Sequence, residues 1–160
     1  FDGVIYDTES LLFNEEYYEA KKQPGFTKDK YIQELDWYNT ILKSKEINDS
    51  IKILREMKDA IILTKVNSLY NEAKAKISIL RDAGIENNII LVPFIFKKTD
   101  IVNPKGNILV DDTLHNLEDW ELGEGIPIFF NKDGNNIDGW NRKNTKYKMI
   151  KTLEYIKNYR

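Results

Sequence analysis

From residue 51 onward, short apolar runs alternate with longer amphipathic segments. Each run is a continuous apolar stretch of strand length, as expected for β-strands that are buried on both faces. The predicted strands are residues 60–64, 88–94, 107–112 and 126–130. Between the first two, apolar residues recur at helical spacing, Ser68 can cap the amino end of the helix, and Gly84 can end it. Strands that alternate with helices predict an α/β fold with a Rossmann-like, three-layer parallel sheet.

Residues 10–50 follow a different pattern, because they contain no apolar run of strand length and are rich in Glu, Lys and Tyr. Residues 11–22 predict one helix that ends before Pro24, and residues 28–45 predict a second. We interpret residues 10–50 as a small helical cap. It is inserted between a first strand, expected to lead into Asp2, and the strand at residues 60–64. The α/β core is then predicted to comprise residues 1–9 and 51–160, with a closing helix over residues 143–157.

Composition narrows the classes of function. The chain has 160 residues, a net charge of -2 and no cysteine. The balanced charge gives no electrostatic reason to bind duplex nucleic acid or an anionic membrane. The absence of cysteine excludes disulfides, a thiolate nucleophile and a zinc–thiolate site from this sequence, and is consistent with a cytoplasmic protein. No apolar run approaches the roughly 20 residues that cross a bilayer.

Acidic, hydroxyl and basic side chains are predicted to gather at one edge of the sheet. In open parallel sheets, ligands bind outside the carboxyl ends of the strands. The residues at or after such ends are Asp2, Gly3, Thr64, Lys65, Lys97, Lys98, Asp111 and Asp112. Clustered carboxylates suit a hard cation such as Mg²⁺, while a hydroxyl, backbone amides and a lysine suit a phosphate group. Together they predict phosphoryl-transfer chemistry.

These residues, in this order, resemble the four motifs of the haloacid dehalogenase superfamily. The opening "FDGVIYDTE" is similar to the first motif, Asp-x-Asp-Gly-Val, without its first Asp. Thr64 in "IILTK" matches the second motif, Lys97 or Lys98 matches the third, and Asp111 with Asp112 matches the fourth. The helical insertion resembles the cap of that superfamily, which closes over the site.

The resemblance implies a magnesium-dependent phosphomonoesterase that works through an aspartyl-phosphate. The nucleophile is expected to be an Asp directly before Phe1, at the end of a further strand. Asp2 is expected to act as general acid and base, and Thr64 to hold the phosphate. The implied metal ligands are Asp2, Asp111 and Asp112, the implied substrate contacts are Gly3, Thr64, Lys65 and Lys98, and Lys97 is the alternative to Lys98.

The substrate class has alternatives. The stretch "DDTLHNLEDWE" resembles the 5'(3')-deoxyribonucleotidase branch, in which Asn-Leu and Trp follow the acids, here Asn116, Leu117 and Trp120. This branch implies a nucleoside monophosphate, with one cap aromatic stacked on the base. A sugar-phosphate phosphatase or mutase is an alternative, because "DTE" also resembles the mutases. A non-catalytic phosphate-binding protein is another, if no Asp precedes Phe1.

Several other side chains have a structural interpretation. We expect most of the cap aromatics, Tyr17, Tyr18, Tyr31, Trp37 and Tyr38, to pack the cap or its contact with the sheet. Trp120 is expected in the core, and Asn116 is expected to hydrogen-bond the loop that carries Asp112.

Overall fold

Parallel β-strands form the centre of the protein, in two small sheets. The computed structural model describes residues 1–133 and 146–159. Strand β1 (Ile61–Val66) pairs with β2 (Asn88–Pro93), and β3 (Ile108–Asp111) pairs with β4 (Ile126–Phe130), which also pairs with β5 (Lys148–Ile150). All of these pairings are parallel, so the predicted α/β class is confirmed. Within the described residues the strands form two sheets, β1-β2 and β3-β4-β5, rather than the predicted single one.

Nine helices surround these strands within the described part of the chain. They are α1 (Glu9–Leu12), α2 (Glu15–Lys21), α3 (Lys28–Glu34), α4 (Trp37–Lys43), α5 (Ser50–Glu56), α6 (Glu72–Asp82), α7 (Lys98–Ile101), α8 (Leu114–Leu122) and α9 (Glu154–Lys157). The helix predicted after β1 begins later than expected, because Ser68 does not cap α6 directly. Its side chain instead accepts a hydrogen bond from the Asn71 amide, at 3.0 Å, in the turn that precedes α6.

The four strands predicted from apolar runs are present with small shifts at their ends. The largest shift is in β1, which extends through Val66 because Lys65 and Val66 continue the ladder opposite Val92 and Pro93. A run of apolar residues therefore located the strand, whereas pairing with its neighbour set its end.

Residues 10–50 are helical, but each of the two helices predicted there is divided. Asn14 interrupts the first and caps α2, accepting a hydrogen bond from the Tyr17 amide at 3.0 Å. Asp36 interrupts the second and caps α4, accepting from the Asn39 amide at 3.2 Å. Short polar side chains of this kind bond to nearby backbone groups and so compete with a continuous helix. The prediction of two long helices was wrong for this reason.

The closing helix predicted over residues 143–157 was also wrong in its described part, while residues 143–145 lie outside the described residues. Residues 148–150 form β5 at the edge of the second sheet, with Lys148 opposite Ile128, and a helix follows only at Glu154. Ile150 and Leu153 are buried in the main core. Pairing and burial therefore overrode a helical pattern in the local sequence.

One hydrophobic cluster connects the cap helices with the strands. Trp37 and Ile41 of α4 are buried in the same cluster as Leu80 of α6 and Ile62 of β1. The indole of Trp37 also donates a hydrogen bond to the Ile32 carbonyl at 2.8 Å. Helices α3 and α4 thus share the main core with β1, while the boundary of a separate cap stays a prediction.

Two smaller clusters agree with the expectations for aromatic residues. Trp120 is buried with Leu117 and Phe129, so its predicted place in the core is confirmed. Tyr17 is buried and makes edge contacts with Phe13, Phe26 and Tyr31 at 5.0–5.6 Å between ring centroids. Tyr18 and Tyr38 are exposed.

The edges of β1 and β3 face a common apolar cavity of about 160 Å³. Ile62 of β1, Leu109 of β3 and the amino-terminal residues Phe1 and Val4 all contribute to its walls. The two sheets therefore lie on either side of this cavity, and Phe1 stands between them.

The helices were also compared with the dimensions of a bilayer. In the described ranges, none has both the length and the apolar character that a membrane-spanning helix requires.

Candidate functional site

A cavity of about 450 Å³ opens where β1 and β3 end. β1 and β3 belong to different sheets, so residues far apart in sequence meet here where the ends of the two sheets adjoin. The predicted residues that line the cavity are Asp2, Gly3, Thr64, Lys65, Lys98, Asp111 and Asp112. Lys97 is not among the residues that line it. The cavity therefore brings together side chains from all four of the proposed motifs.

Asp2 is held on both carboxylate oxygens. Its Oδ1 accepts a hydrogen bond from the Thr8 hydroxyl at 2.7 Å, and its Oδ2 lies 2.5 Å from the Lys76 ammonium. Burial alone would raise the pKa of Asp2, but the charges of Lys76 and of the Phe1 amino group, with the hydrogen bonds from Lys76 and Thr8, together lower it. In this arrangement Asp2 is an ionised carboxylate, which can accept a proton.

Gly3 brings the backbone against Asp112. Its φ of +68° lies in the left-handed region, which side chains disfavour. A Cβ at this position would lie only 1.9 Å from the Asp112 Oδ2 atom. Glycine is therefore required at this position for two reasons, the left-handed backbone and the close approach of the Asp112 carboxylate.

Thr64 is buried at the end of β1, with its hydroxyl beside the same lysine. The Lys76 ammonium donates to the Thr64 Oγ1 at 3.3 Å and to the Lys65 carbonyl at 3.0 Å. The Lys65 ammonium lies 5.5 Å above the ring of Phe94, an exposed aromatic residue that also lines the cavity. The end of β1 thus presents a hydroxyl, a cation and an aromatic face.

Asp111 and Lys98 form an ion pair at the end of β3, with 2.5 Å between the ammonium and Oδ2. The Thr113 amide donates to Asp111 Oδ1 at 2.8 Å, and the Asn116 side chain donates to both oxygens at 3.1 and 3.2 Å. Burial would raise the pKa of Asp111, but Lys98 and these donors hold it below its usual range. Asn116 therefore supports the acid pair, although through Asp111 rather than the loop at Asp112.

The two candidate lysines have different partners. Lys98 is 9% exposed at its side chain and lines the cavity, whereas Lys97 is 53% exposed and pairs with Asp119 at 2.7 Å. Consecutive residues at the start of a helix point in different directions, so only one of them can reach this cavity. Lys98 therefore points into the cavity, whereas Lys97 lies on the surface.

A divalent cation was tested against the donor atoms. Asp111 and Asp112 can supply carboxylate oxygens and Asp2 a main-chain carbonyl, which are ligand types that Mg²⁺ prefers, so the residues fit such an ion in kind. Yet among the described residues no group of three or more acidic or histidine side chains is close enough to hold a metal. Lysines instead hold the carboxylates of Asp2 and Asp111.

The sequence reasoning missed Lys76, Glu72 and Thr8. Lys76 and Glu72 form an ion pair of 2.7 Å on the buried face of α6. Their signal in the sequence is two opposite charges four residues apart, on the same helical stripe as Ala73, Ile79 and Leu80, where apolar residues are expected. Thr8, which is buried, has no comparable signal because its role depends only on its contact with Asp2.

The chain was also compared with known proteins. Family models, curated proteins and solved structures all give no match.

Proposed function

We propose that this protein is a magnesium-dependent phosphomonoesterase of the haloacid dehalogenase type, with nucleoside monophosphates as its substrates. One observation carries the proposal: acids, a hydroxyl and a lysine from distant parts of the sequence line one cavity at the carboxyl ends of β1 and β3. These residues also occur along the chain in the order of the four superfamily motifs, which supports the same proposal. The absence of cysteine supports a cytoplasmic location.

The proposed reaction assigns each residue a role. An Asp directly before Phe1 attacks phosphorus to give an aspartyl-phosphate, and the bond from phosphorus to the leaving oxygen breaks. Asp2 must first take up a proton, which it gives to the departing alkoxide. It then takes a proton from the water whose oxygen replaces the nucleophilic Asp on phosphorus, so that Asp2 ends the cycle protonated. Thr64 donates its hydroxyl to a phosphate oxygen, and Lys98 offsets the phosphate charge.

The proposed metal ligands are Asp111, Asp112 and Asp2, the last through its main-chain carbonyl. Bound there, Mg²⁺ would supply positive charge next to the phosphate group. Lys98 pairs with Asp111 in the present arrangement. If Asp111 held a metal ion instead, Lys98 would be available to contact the phosphate.

A single Rossmann-like sheet is part of the proposal. The apolar cavity between the edges of β1 and β3 supports it. Each of these strands belongs to a parallel pair, and both line the same cavity. An extended segment that leads into Phe1 would fill this cavity and pair with both edges. Amide hydrogen exchange of the full-length protein tests this, since pairing would protect the facing amides of β1 and β3.

The preference for nucleotides rests on an exposed aromatic residue beside the phosphate contacts. Phe94 lines the cavity and lies against Lys65, so a planar base can stack on its outer face. A panel of nucleoside monophosphates and sugar phosphates is the test. A kcat/KM at least tenfold higher for the nucleotides supports the assignment, and equal values would remove it while leaving phosphatase activity in place.

The decisive experiment measures phosphate release from an aryl phosphate by the full-length protein. We expect turnover with Mg²⁺, loss of turnover in excess EDTA, and a fall of at least about 100-fold in kcat for Asp2→Asn. Asp29→Asn, at an exposed position in the cap, is the matched control and should retain the parent's rate. Full activity in the chelator, or an active Asp2→Asn protein, would contradict the proposed chemistry.

A further inference from the structure

Lys76 is a charged residue that is completely buried, which is unusual for a lysine on a helix. Its side chain is 0% exposed, although it lies in the middle of α6 and carries a charge. Burying an ammonium is costly unless opposite charges and hydrogen bonds compensate for the lost water. Its neighbours therefore indicate what it is kept for.

Four acceptors surround the Lys76 ammonium. They are Asp2 Oδ2 at 2.5 Å, Glu72 Oε1 at 2.7 Å, the Lys65 carbonyl at 3.0 Å and Thr64 Oγ1 at 3.3 Å. An ammonium has three hydrogens, which the two carboxylates and the carbonyl can all take, so Thr64 shares one of these hydrogens in a longer, bifurcated bond. The rings of Phe1 and Trp37 lie 5.2 and 5.5 Å from the same nitrogen and close its remaining sides.

The two carboxylates bound to Lys76 differ in their surroundings. Glu72 is buried, and its second oxygen accepts from the amide and side chain of Asn67, at 2.7 and 3.2 Å. Both acids line the cavity, but the side chain of Asp2 is 37% exposed whereas that of Glu72 is 2% exposed. Glu72 therefore anchors the lysine in the body of the protein, while Asp2 is the partner that meets a ligand.

We propose that Lys76 is a positioning residue, which fixes the Asp2 carboxylate next to Thr64 at the mouth of the cavity, with Glu72 as its buried counter-ion. This inference rests on the proposed function and adds a residue that the four motifs do not contain. Lys76 itself is not among the residues that line the cavity. It acts through Asp2 and does not contact substrate.

A purely structural role would be to neutralise Glu72, and two variants separate the roles. Lys76→Met leaves Glu72 buried without its cation, so a loss of activity could follow from instability alone. Lys76→Met combined with Glu72→Gln removes both charges, and the glutamine oxygen still accepts from the Asn67 amide. Asp2 is exposed enough for water to solvate it in this double variant.

We expect the double variant to regain most of the thermal stability that Lys76→Met loses. Its kcat for an aryl phosphate should nevertheless stay at least tenfold below the parent, which corresponds to about 1.4 kcal/mol, with KM within threefold. Glu72→Gln alone keeps the lysine on Asp2 and should therefore retain a higher kcat than the double variant. A kcat that recovers together with stability would overturn the inference and leave Lys76 a structural residue.

A double-mutant cycle tests whether the effect passes through Asp2. If Lys76 only positions Asp2, the paired substitution should lower kcat by less than twofold in an Asp2→Asn background. The same tenfold loss in both backgrounds would overturn the inference while the proposed function stands. A full-length parent protein without phosphatase activity would overturn the proposed function and this inference together.

Discussion

Two lysine–carboxylate pairs lie near the ends of β1 and β3, and they differ in their surroundings. At the end of β1, Lys76 binds two carboxylates, is fully enclosed and does not line the cavity. At the end of β3, Lys98 binds only Asp111, is slightly exposed and lines the cavity. Both ammonium groups lie 2.5 Å from their acid, so the distance alone does not distinguish them.

The difference lies in what each lysine would leave behind if it moved. Removing Lys76 would leave two carboxylates, Asp2 and the buried Glu72, without their cation, whereas removing Lys98 would leave only Asp111. A lysine that neutralises two carboxylates costs more to displace than one that neutralises a single carboxylate. We therefore interpret Lys76 as a permanent part of the scaffold and Lys98 as the cation that can exchange its partner for a ligand.

The largest expected effect is on stability at Lys76. Lys76→Met should lower the free energy of unfolding by about 3–5 kcal/mol, because it leaves a buried carboxylate without its cation. Urea unfolding measures this, with Lys74→Met, an exposed lysine on the same helix, as the control. Equal effects of the two substitutions would show that the enclosure of Lys76 has no energetic weight.

The next effect should come from Lys98. Lys98→Met should cost about 2 kcal/mol, less than Lys76→Met, since it leaves one carboxylate rather than two without a cation. It should also raise KM for an aryl phosphate, because the cation proposed to meet the phosphate is gone. The neighbouring Lys97→Met, which removes an exposed pair with Asp119, serves as the control and should change neither quantity. The interpretation of Lys98 as the exchangeable cation fails if Lys97→Met has the larger effect on KM.

Gly3→Ala should have a smaller effect on stability, of about 1 kcal/mol or somewhat more. The added Cβ would strain a backbone at φ +68° and displace the Asp112 carboxylate from its position beside Gly3. Gly106→Ala has a similar φ of +72° with no atom near the added Cβ, so it reports the backbone strain alone. If both variants lose equal stability, the close approach of Asp112 contributes nothing.

The smallest effect should appear in the acid dependence of stability. The pKa of Asp111 is lowered in the folded protein, so its contribution is present above the unfolded value near pH 4 and is lost as the pH falls through the folded pKa. Lys98→Met should bring the pKa of Asp111 in the folded protein closer to its value in the unfolded protein. The urea midpoint of this variant should therefore fall less steeply below about pH 4 than that of the parent. A steeper loss would contradict the assigned direction.

Much of the fold could be predicted from local pattern. Continuous apolar runs located β1 to β4, but the expected burial on both faces was wrong for β1 and β3, where fully buried residues alternate with less buried ones. The strand ends then indicated which polar residues would meet, and Asp2, Thr64 and Asp111 do line one cavity. These successes share a cause, since each depends on a regular backbone geometry that a short stretch of sequence specifies.

Other features could not be found in this way. β5 exists because β4 offers a free edge, and the residues 148–150 have no apolar run of their own that predicts a strand. The distinction between Lys97 and Lys98 depends on how the start of α7 is turned towards β3. A sequence pattern cannot specify either, because both depend on the neighbour that a segment packs against.

The sequence by itself determined the α/β class, the four central strands and the set of acids, hydroxyl and lysines at their ends, because periodicity and strand direction are local properties. Only the tertiary structure decided that Lys76, at a position where a helix normally buries an apolar residue, is joined to Asp2. That contact spans 74 residues of sequence, and its strength comes from the exclusion of water, which is a property of the packed protein and not of any segment.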